Sequence, residues 1–332
     1  MKLGVIIIMS LIGKNILITG ATGFLGYHLT KRLIDENCNL ILLGRNFKLI
    51  DSIKNQKSLI KIKGDLTKED FLDAIFNKYH IDMIFHLAAK VHDRSEANYN
   101  QYKSLNVILT KKIAELALQY QVKKIIFFST VSVYGDTEGK IIDEKMPCFP
   151  STVYGKTKLE AEKILLKSWQ DFKLPVVILR LSSIYGKYDH GNLPLLYKAI
   201  KKHLSFMVGK GKNRKTMLHT NDVIQAAMLA VVEDKANGEV FNIGEDFYRF
   251  CDILNMIEKT LGVSTIRLSI PLTLAKIIKN QKLIKTLSRM IETISSDNCY
   301  SSDKANKILH FTPLYNLEQG LQESVEWYKD NF

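Results

Sequence analysis

Residues 16–26 read Ile-Leu-Ile-Thr-Gly-Ala-Thr-Gly-Phe-Leu-Gly, an apolar run that breaks into glycines spaced G-x-x-G-x-x-G. Few backbones suit such a segment. The β-rich run predicts a strand and Gly20 a tight turn. Gly23 marks a place where backbone can approach a pyrophosphate, and Gly26 allows the next helix to pack closely on the strand. Phe24 and Leu25 then lie in the first turn of that helix, whose free N–H groups attract an anion. A glycine-rich turn without a ligand is the alternative, and the strand-to-helix context argues against it.

The same alternation continues downstream. Asn15–Thr19, Leu40–Leu43, Leu59–Ile62, Met83–Leu87, Ile125–Ser129 and Val176–Leu179 are short β-rich runs. Gly26–Glu36, Lys68–Tyr79, Tyr102–Tyr120 and Tyr154–Phe172 carry helical periodicity. Strands alternating with helices predict an α/β fold, a Rossmann-type doubly wound parallel sheet over residues 14–185. From Gly186 the pattern loosens into helices such as Leu193–Lys202, Asp222–Glu233 and Phe250–Leu261, with a strand at Val240–Ile243. Residues 186–332 are expected to form mostly a smaller α/β substrate-binding region. No Pro/Gly linker separates the halves, so they are expected to share a cleft. Residues 1–13 read as an apolar lead-in, too short to span a membrane and followed by no small-residue cleavage site.

Composition narrows the partners. The formal net charge is +13, which suits either a nucleic acid or a doubly anionic substrate such as a nucleotide diphosphate. Basic residues are spread along the chain rather than grouped with aromatics, so nucleic acid is not expected. Cysteines 38, 148, 251 and 299 form no CxxC pair and neighbour no His cluster. Neither metal nor disulfide is expected, and the reading is a cytoplasmic protein. Residues 272–294 carry Lys276, Lys279, Lys282, Lys285 and Arg289 among apolar residues. A basic amphipathic helix can lie on a membrane; here it reads as a surface helix with a solvated face.

Four further segments bear on chemistry. The second strand ends Leu43-Gly44-Arg45-Asn46, without the carboxylate that would bond an adenosine 2′-hydroxyl. Arg45 can meet a 2′-phosphate instead, so NADP is favoured over NAD. At the end of the fourth strand, His86-Leu87-Ala88-Ala89 is small enough for backbone to lie along a cofactor. Tyr154 and Lys158 are four residues apart on one helix and share a face. A tyrosine at its ordinary pKa of about 10 is a poor base at neutral pH. A neighbouring ammonium and an oxidised nicotinamide both favour the phenolate, which could then exchange a proton with a substrate hydroxyl or ketone. Phe128-Ser129-Thr130-Val131-Ser132 ends the fifth strand and offers a hydroxyl to the reacting oxygen.

In this order the motifs resemble the extended short-chain dehydrogenase/reductases, within the nucleotide-sugar epimerase/dehydratase group. The resemblance implies an NAD(P)-dependent enzyme with Thr130 as catalytic hydroxyl, Tyr154 as acid/base and Lys158 as its helper. Gly20, Gly23, Gly26, Asp65 and Leu66 would line the cofactor. The resemblance also implies a homodimer built on the helices of Tyr102–Tyr120 and Tyr154–Phe172, and a place in polysaccharide biosynthesis. On the substrate side it points to Ser132, to Ser183 (where many relatives carry Asn), to Asn192, and to Arg214 and Lys215 as phosphate-binding cations. The arginine and aspartate that clasp the diphosphate and ribose in many relatives fall near Thr293 and Ser296 here. Sugar dehydratases of the group follow the catalytic Thr with Asp-Glu; Val131 and Ser132 stand in those places. Dehydration is therefore not expected, which leaves a 4-epimerase or 4-ketoreductase of a nucleotide sugar. Two alternatives are an NADP-dependent reductase of a non-sugar alcohol or ketone, and a non-catalytic cofactor sensor.

Overall fold

The computed structural model describes residues 11–53, 59–91, 99–137, 139–191, 193–279, 291 and 294–331. Strand β1 (Asn15–Thr19) leads into helix α1 (Phe24–Leu33), followed by β2 (Asn39–Gly44), β3 (Leu59–Lys63), α2 (Phe71–Lys78) and β4 (Met83–His86). The third helix, α3, runs through Tyr99–Lys103, Ser104–Ile108 and Leu109–Gln119, and the middle five residues are π-helical. Then come β5 (Lys124–Thr130), α4 (Val153–Phe172) and β6 (Val176–Leu181). Strand β7 (Ser183–Tyr185), α5 (Leu193–Lys201), β8 (Leu204–Val208), β9 (Arg214–His219) and α6 (Thr220–Val232) precede β10 (Glu239–Ile243) and β11 (Phe247–Arg249).

Seven strands form one parallel sheet in the order β10-β6-β5-β4-β1-β2-β3. Alternate side chains of each strand enter opposite cores. Ile16, Ile18, Leu40 and Phe128 pack with Leu29 of α1 and Ala227 of α6. Leu17, Ile41, Ile125 and Phe127 pack with Ile113 of α3 and Leu165 of α4 on the other face. Burial on both faces is why these strands read as near-continuous apolar runs. The order reverses between β1 and β4, and that crevice is where doubly wound sheets bind ligands.

Two features depart from the sequence pattern. The sheet draws its edge strand β10 and the covering helix α6 from beyond residue 185. The Tyr102–Tyr120 periodicity is broken by the π turn, where the Asn106 side chain reaches out of the helix. It accepts from Lys90 N (2.8 Å) and donates to the Lys90 carbonyl (3.1 Å) and to Thr157 Oγ1 (3.0 Å). A wide turn of this kind frequently marks a functional site.

Strands β7, β9 and β11 make a small separate sheet. Within 272–294, the structure describes a helix over Leu272–Lys279, α8, with Leu272, Leu274 and Ile277 exposed; most of the remaining basic stretch lies outside the described residues. So do residues 1–10 of the lead-in, whereas Leu11 is fully buried. No described helix is long and apolar enough to cross a membrane. All four cysteines are free thiols.

Candidate active site

The glycine turn is built for close approach. Gly20 sits at φ +73, where a Cβ would be strained and would come within 2.7 Å of Ala88 N. A Cβ on Gly26 would lie 2.2 Å from the Gly20 carbonyl, so only glycine lets α1 start this near the strand. Gly23 is the N-cap of α1, and no side chain caps that end. Among the described residues no side chain bonds the first N–H groups of the helix, at Phe24 and Leu25. An uncapped helix start of this kind fits a pyrophosphate. Leu87, Ala88 and Ala89 follow β4 directly, and Ala88 N donates to Thr19 Oγ1 (3.3 Å), tying the two strand ends beneath the turn.

At the ends of β2 and β3, the Arg45 charge reaches the Asp65 carboxylate. The Asp65 carboxylate accepts from Thr67 N (2.9 Å) and the Thr67 hydroxyl (2.8 Å). Those bonds to Thr67, with a smaller contribution from the Arg45 charge, hold its pKa below the ordinary carboxylate value. Leu66 beside it packs partly against the α2/α3 core. The β2 end carries no carboxylate, and Arg45 is exposed there.

Tyr154 and Lys158 belong to the first turns of α4, whose N-cap Thr152 accepts from Gly155 N (3.0 Å). The Thr130 hydroxyl at the end of β5 stands close enough to the Tyr154 phenol to favour its ionised form. Thr130 in turn donates to Ser132 Oγ (3.2 Å). Hydroxyls 130, 132 and 154 therefore stand together. Burial is the largest influence on the phenol. It raises the Tyr154 pKa above its ordinary value, and Thr130 offsets only part of this. Lys158 is 1% exposed and donates to the Phe128 carbonyl at 2.6 Å. Its ammonium also lies over the Phe127 ring, 3.7 Å from the centroid. Burial pushes this lysine down to about 7, and the Glu162 charge opposes the shift. The ammonium is thus held against β5.

Glu162, one turn beyond Lys158, forms a buried ion pair with Arg180 at 2.7 Å. Ser129 donates to the same carboxylate. Arg180 Nη1 donates to Tyr134 OH (2.8 Å), which donates to Asn242 Oδ1 (2.8 Å). This web fixes β5, α4, β6 and β10 around the Tyr-Lys pair. The spacing Tyr154, Lys158, Glu162 was the available sequence signal for Glu162. Asn106 had no comparable signal, because its role depends on the π turn.

The substrate-side residues are less gathered. Ser183 is exposed on β7, in register with Met217 of β9. Lys215 is buried and donates to Ser296 Oγ at 2.6 Å. Arg214 is engaged elsewhere: it pairs with Asp297 (3.3 Å) and donates to the Gly139 carbonyl (2.9 Å). Asn192 lies outside the described residues.

The fold and the site together define a dinucleotide-binding oxidoreductase scaffold with a tyrosine–lysine pair. Residues 16–244 match the NAD dependent epimerase/dehydratase family. A dTDP-D-glucose 4,6-dehydratase of Homo sapiens is 27% identical, with 96% of this chain and 91% of that protein covered. A protein of Bacillus subtilis described as an uncharacterized UDP-glucose epimerase is 28% identical, covering 94% and 97%. Among solved structures, UDP-glucuronic acid 4-epimerase from Bacillus cereus in complex with NAD superposes with a TM-score of 0.79 at 24% identity, covering 95% of this chain and 99% of that one. The chain belongs to the NAD-dependent epimerase/dehydratase family of extended short-chain dehydrogenase/reductases, a family of enzymes acting on nucleotide sugars.

Proposed function

We propose that the protein is a 4-epimerase or 4-ketoreductase of a nucleotide-diphosphate sugar, moving a hydride to or from a sugar carbinol carbon without eliminating water. One observation carries the reading. Thr130 and Tyr154 meet at the cofactor crevice, while Val131 and Ser132 occupy the places where dehydratases of the group carry their elimination acids. Val131 is buried and apolar, and Ser132 has no group able to ionise near neutral pH.

When bound, the nicotinamide supplies or accepts the hydride. The chain's own residues do the rest. Tyr154 takes the proton from the sugar hydroxyl, or returns one to the ketone. The Thr130 hydroxyl holds the reacting oxygen, and Lys158, close to its midpoint at neutral pH, supplies or withholds positive charge beneath the pair. Ser132 and Ser183 face the sugar nucleotide, Lys215 and Asn192 serve its phosphates, and the residues after 186 outside α6 and β10 form the substrate region. Arg214 serves through its pair with Asp297, by shaping the same wall.

Arg45 favours NADP, and with it the ketoreductase branch. Its cation stands beside Asp65 at the ribose end of the crevice, with no carboxylate of its own strand to bond a 2′-hydroxyl. Arg45→Ala should weaken NADPH about tenfold and leave NADH nearly unchanged; a strong NAD preference in the wild type, kept in the variant, removes this part. Exposed Ile108 on α3 and Val153 on α4 fit a homodimer on those helices, and the free thiols fit a reducing, cytoplasmic setting.

The test is a panel of nucleotide sugars and 4-keto nucleotide sugars, incubated with and without added NADPH and followed by product NMR. Conversion of one sugar epimer to the other without added cofactor identifies the epimerase. Stoichiometric NADPH consumption identifies the ketoreductase. A 4-keto-6-deoxy product would contradict both.

A further inference from the structure

We propose that His86 is a positioning residue that ties the glycine turn to the catalytic helix through opposite nitrogens of one neutral imidazole. The inference rests on the crevice binding a dinucleotide, and it concerns only residues of this chain. His86 ends β4 and is completely buried. Its Nδ1 lies 2.7 Å from Thr19 Oγ1, and its Nε2 lies 2.9 Å from Thr110 Oγ1.

The proton positions follow from the partners. Thr110 donates to the Asn106 carbonyl (2.8 Å), so its oxygen accepts the Nε2 proton. Nδ1 of a neutral ring that carries its proton on Nε2 can only accept, so the Thr19 hydroxyl donates to it while its oxygen also accepts from Ala88 N (3.3 Å). The ring is therefore the Nε2–H tautomer, with both nitrogens used. Burial and the Lys158 charge both disfavour a second proton.

Two arms leave this ring. The cofactor arm runs from Nδ1 to Thr19, the residue before Gly20, and on to Ala88, the backbone that Gly20 packs against. The catalytic arm runs from Nε2 through Thr110 to Asn106 in the π turn, whose amide donates to Thr157 Oγ1 at 3.0 Å. Thr157 lies between Tyr154 and Lys158. The Phe127 ring neighbours both imidazole and ammonium: its centroid is 5.3 Å from the His86 ring and 3.7 Å from Lys158 Nζ. A buried histidine kept only for packing needs no such pair of hydroxyl partners leading to the two halves of one site.

The arms can be cut separately. An asparagine carboxamide reaches about as far as Nδ1, and a glutamine carboxamide about as far as Nε2. His86→Asn keeps the bond to Thr19 and loses Thr110; His86→Gln does the reverse. Two readouts need no sugar substrate. One is the NADH and NADPH dissociation constant by fluorescence titration. The other is ionisation of Tyr154 in the cofactor-bound protein, by ultraviolet difference absorbance against Tyr154→Phe; Thr130 and Tyr102, which also act on that phenol, are unchanged.

His86→Gln should weaken cofactor binding about tenfold and leave the phenol's titration in place. His86→Asn should keep cofactor affinity within about twofold and move the titration upward by about one pH unit. Should His86→Asn not fold, Thr110→Val cuts the same arm from the other side and should give the same result. Equal loss of both readouts in every variant, in step with the melting temperature, overturns the proposal and leaves a purely structural histidine. No change in either readout overturns it as well. Failure of the wild type to bind NADH or NADPH defeats the cofactor reading itself and takes this inference with it.

Discussion

Lys158→Met should make the protein more stable and less useful. The lysine is almost fully buried, and burial brings its pKa from the ordinary 10.5 to about 7. At about 1.4 kcal/mol per pH unit, keeping it charged at neutral pH costs on the order of 5 kcal/mol relative to the unfolded chain. Methionine fills nearly the same volume without charge. Losing the 2.6 Å bond to the Phe128 carbonyl and the contact with the Phe127 ring removes part of the gain. A net stabilisation of about 2–4 kcal/mol remains. The pH dependence has a definite direction. Between about 7 and 10.5 the unfolded chain holds a proton that the folded lysine has released, so wild-type stability rises with pH across that window. The difference between variant and wild type should therefore be largest at or below pH 7 and shrink toward about pH 10. Urea unfolding followed by circular dichroism at several pH values measures it. A variant less stable than wild type at pH 7, or a difference that does not shrink with rising pH, refutes the reasoning.

Two other perturbations follow from the same geometry. Gly20→Ala must place a Cβ at φ +73 within 2.7 Å of Ala88 N; it should cost about 2 kcal/mol or more and abolish NADH binding measured by fluorescence titration. Glu245 is buried, accepts from His219 N (2.7 Å) and from Tyr185 OH (3.2 Å), and is pushed from the ordinary 4.5 up to about 8, chiefly by burial and secondarily by the Asp222 charge. Its folded value lies above its unfolded one, so it subtracts stability as pH rises from 4.5 to about 8. Glu245→Gln keeps an acceptor for His219 and should raise stability at pH 8 by about 1–3 kcal/mol, with little effect at pH 5; an unchanged melting temperature at pH 8 would count against it.

Legibility followed how local each signal is. The glycine turn, the strand–helix alternation and the Tyr154/Lys158 spacing are short-range patterns, and each lands where the sequence puts it. Helix Phe250–Leu261, α7, keeps its anticipated bounds because its periodic apolar face and Gly262 mark its end, with Gly262 in the left-handed C-cap position. The π turn in α3 stayed hidden because its cause, the reach of Asn106 to Lys90 and Thr157, is tertiary. Strand β10 reads as a strand, but its place at the edge of the main sheet depends on a long crossover from β6. The pairing of Arg214 with Asp297 links residues 83 positions apart, so no spacing rule could separate it from a phosphate-binding arginine. The Lys158 ammonium is held by the Phe128 carbonyl and the Phe127 ring of β5, tertiary partners that helical spacing cannot reveal.

The most direct measurement compares Tyr154→Phe with wild type on a nucleotide sugar that the protein converts. The substitution removes only the phenol hydroxyl, the group that Thr130 influences. Turnover should fall about a thousandfold or more while NADH or NADPH affinity stays within about threefold. Turnover close to wild type, with cofactor still bound, would show that the proton is carried by another group.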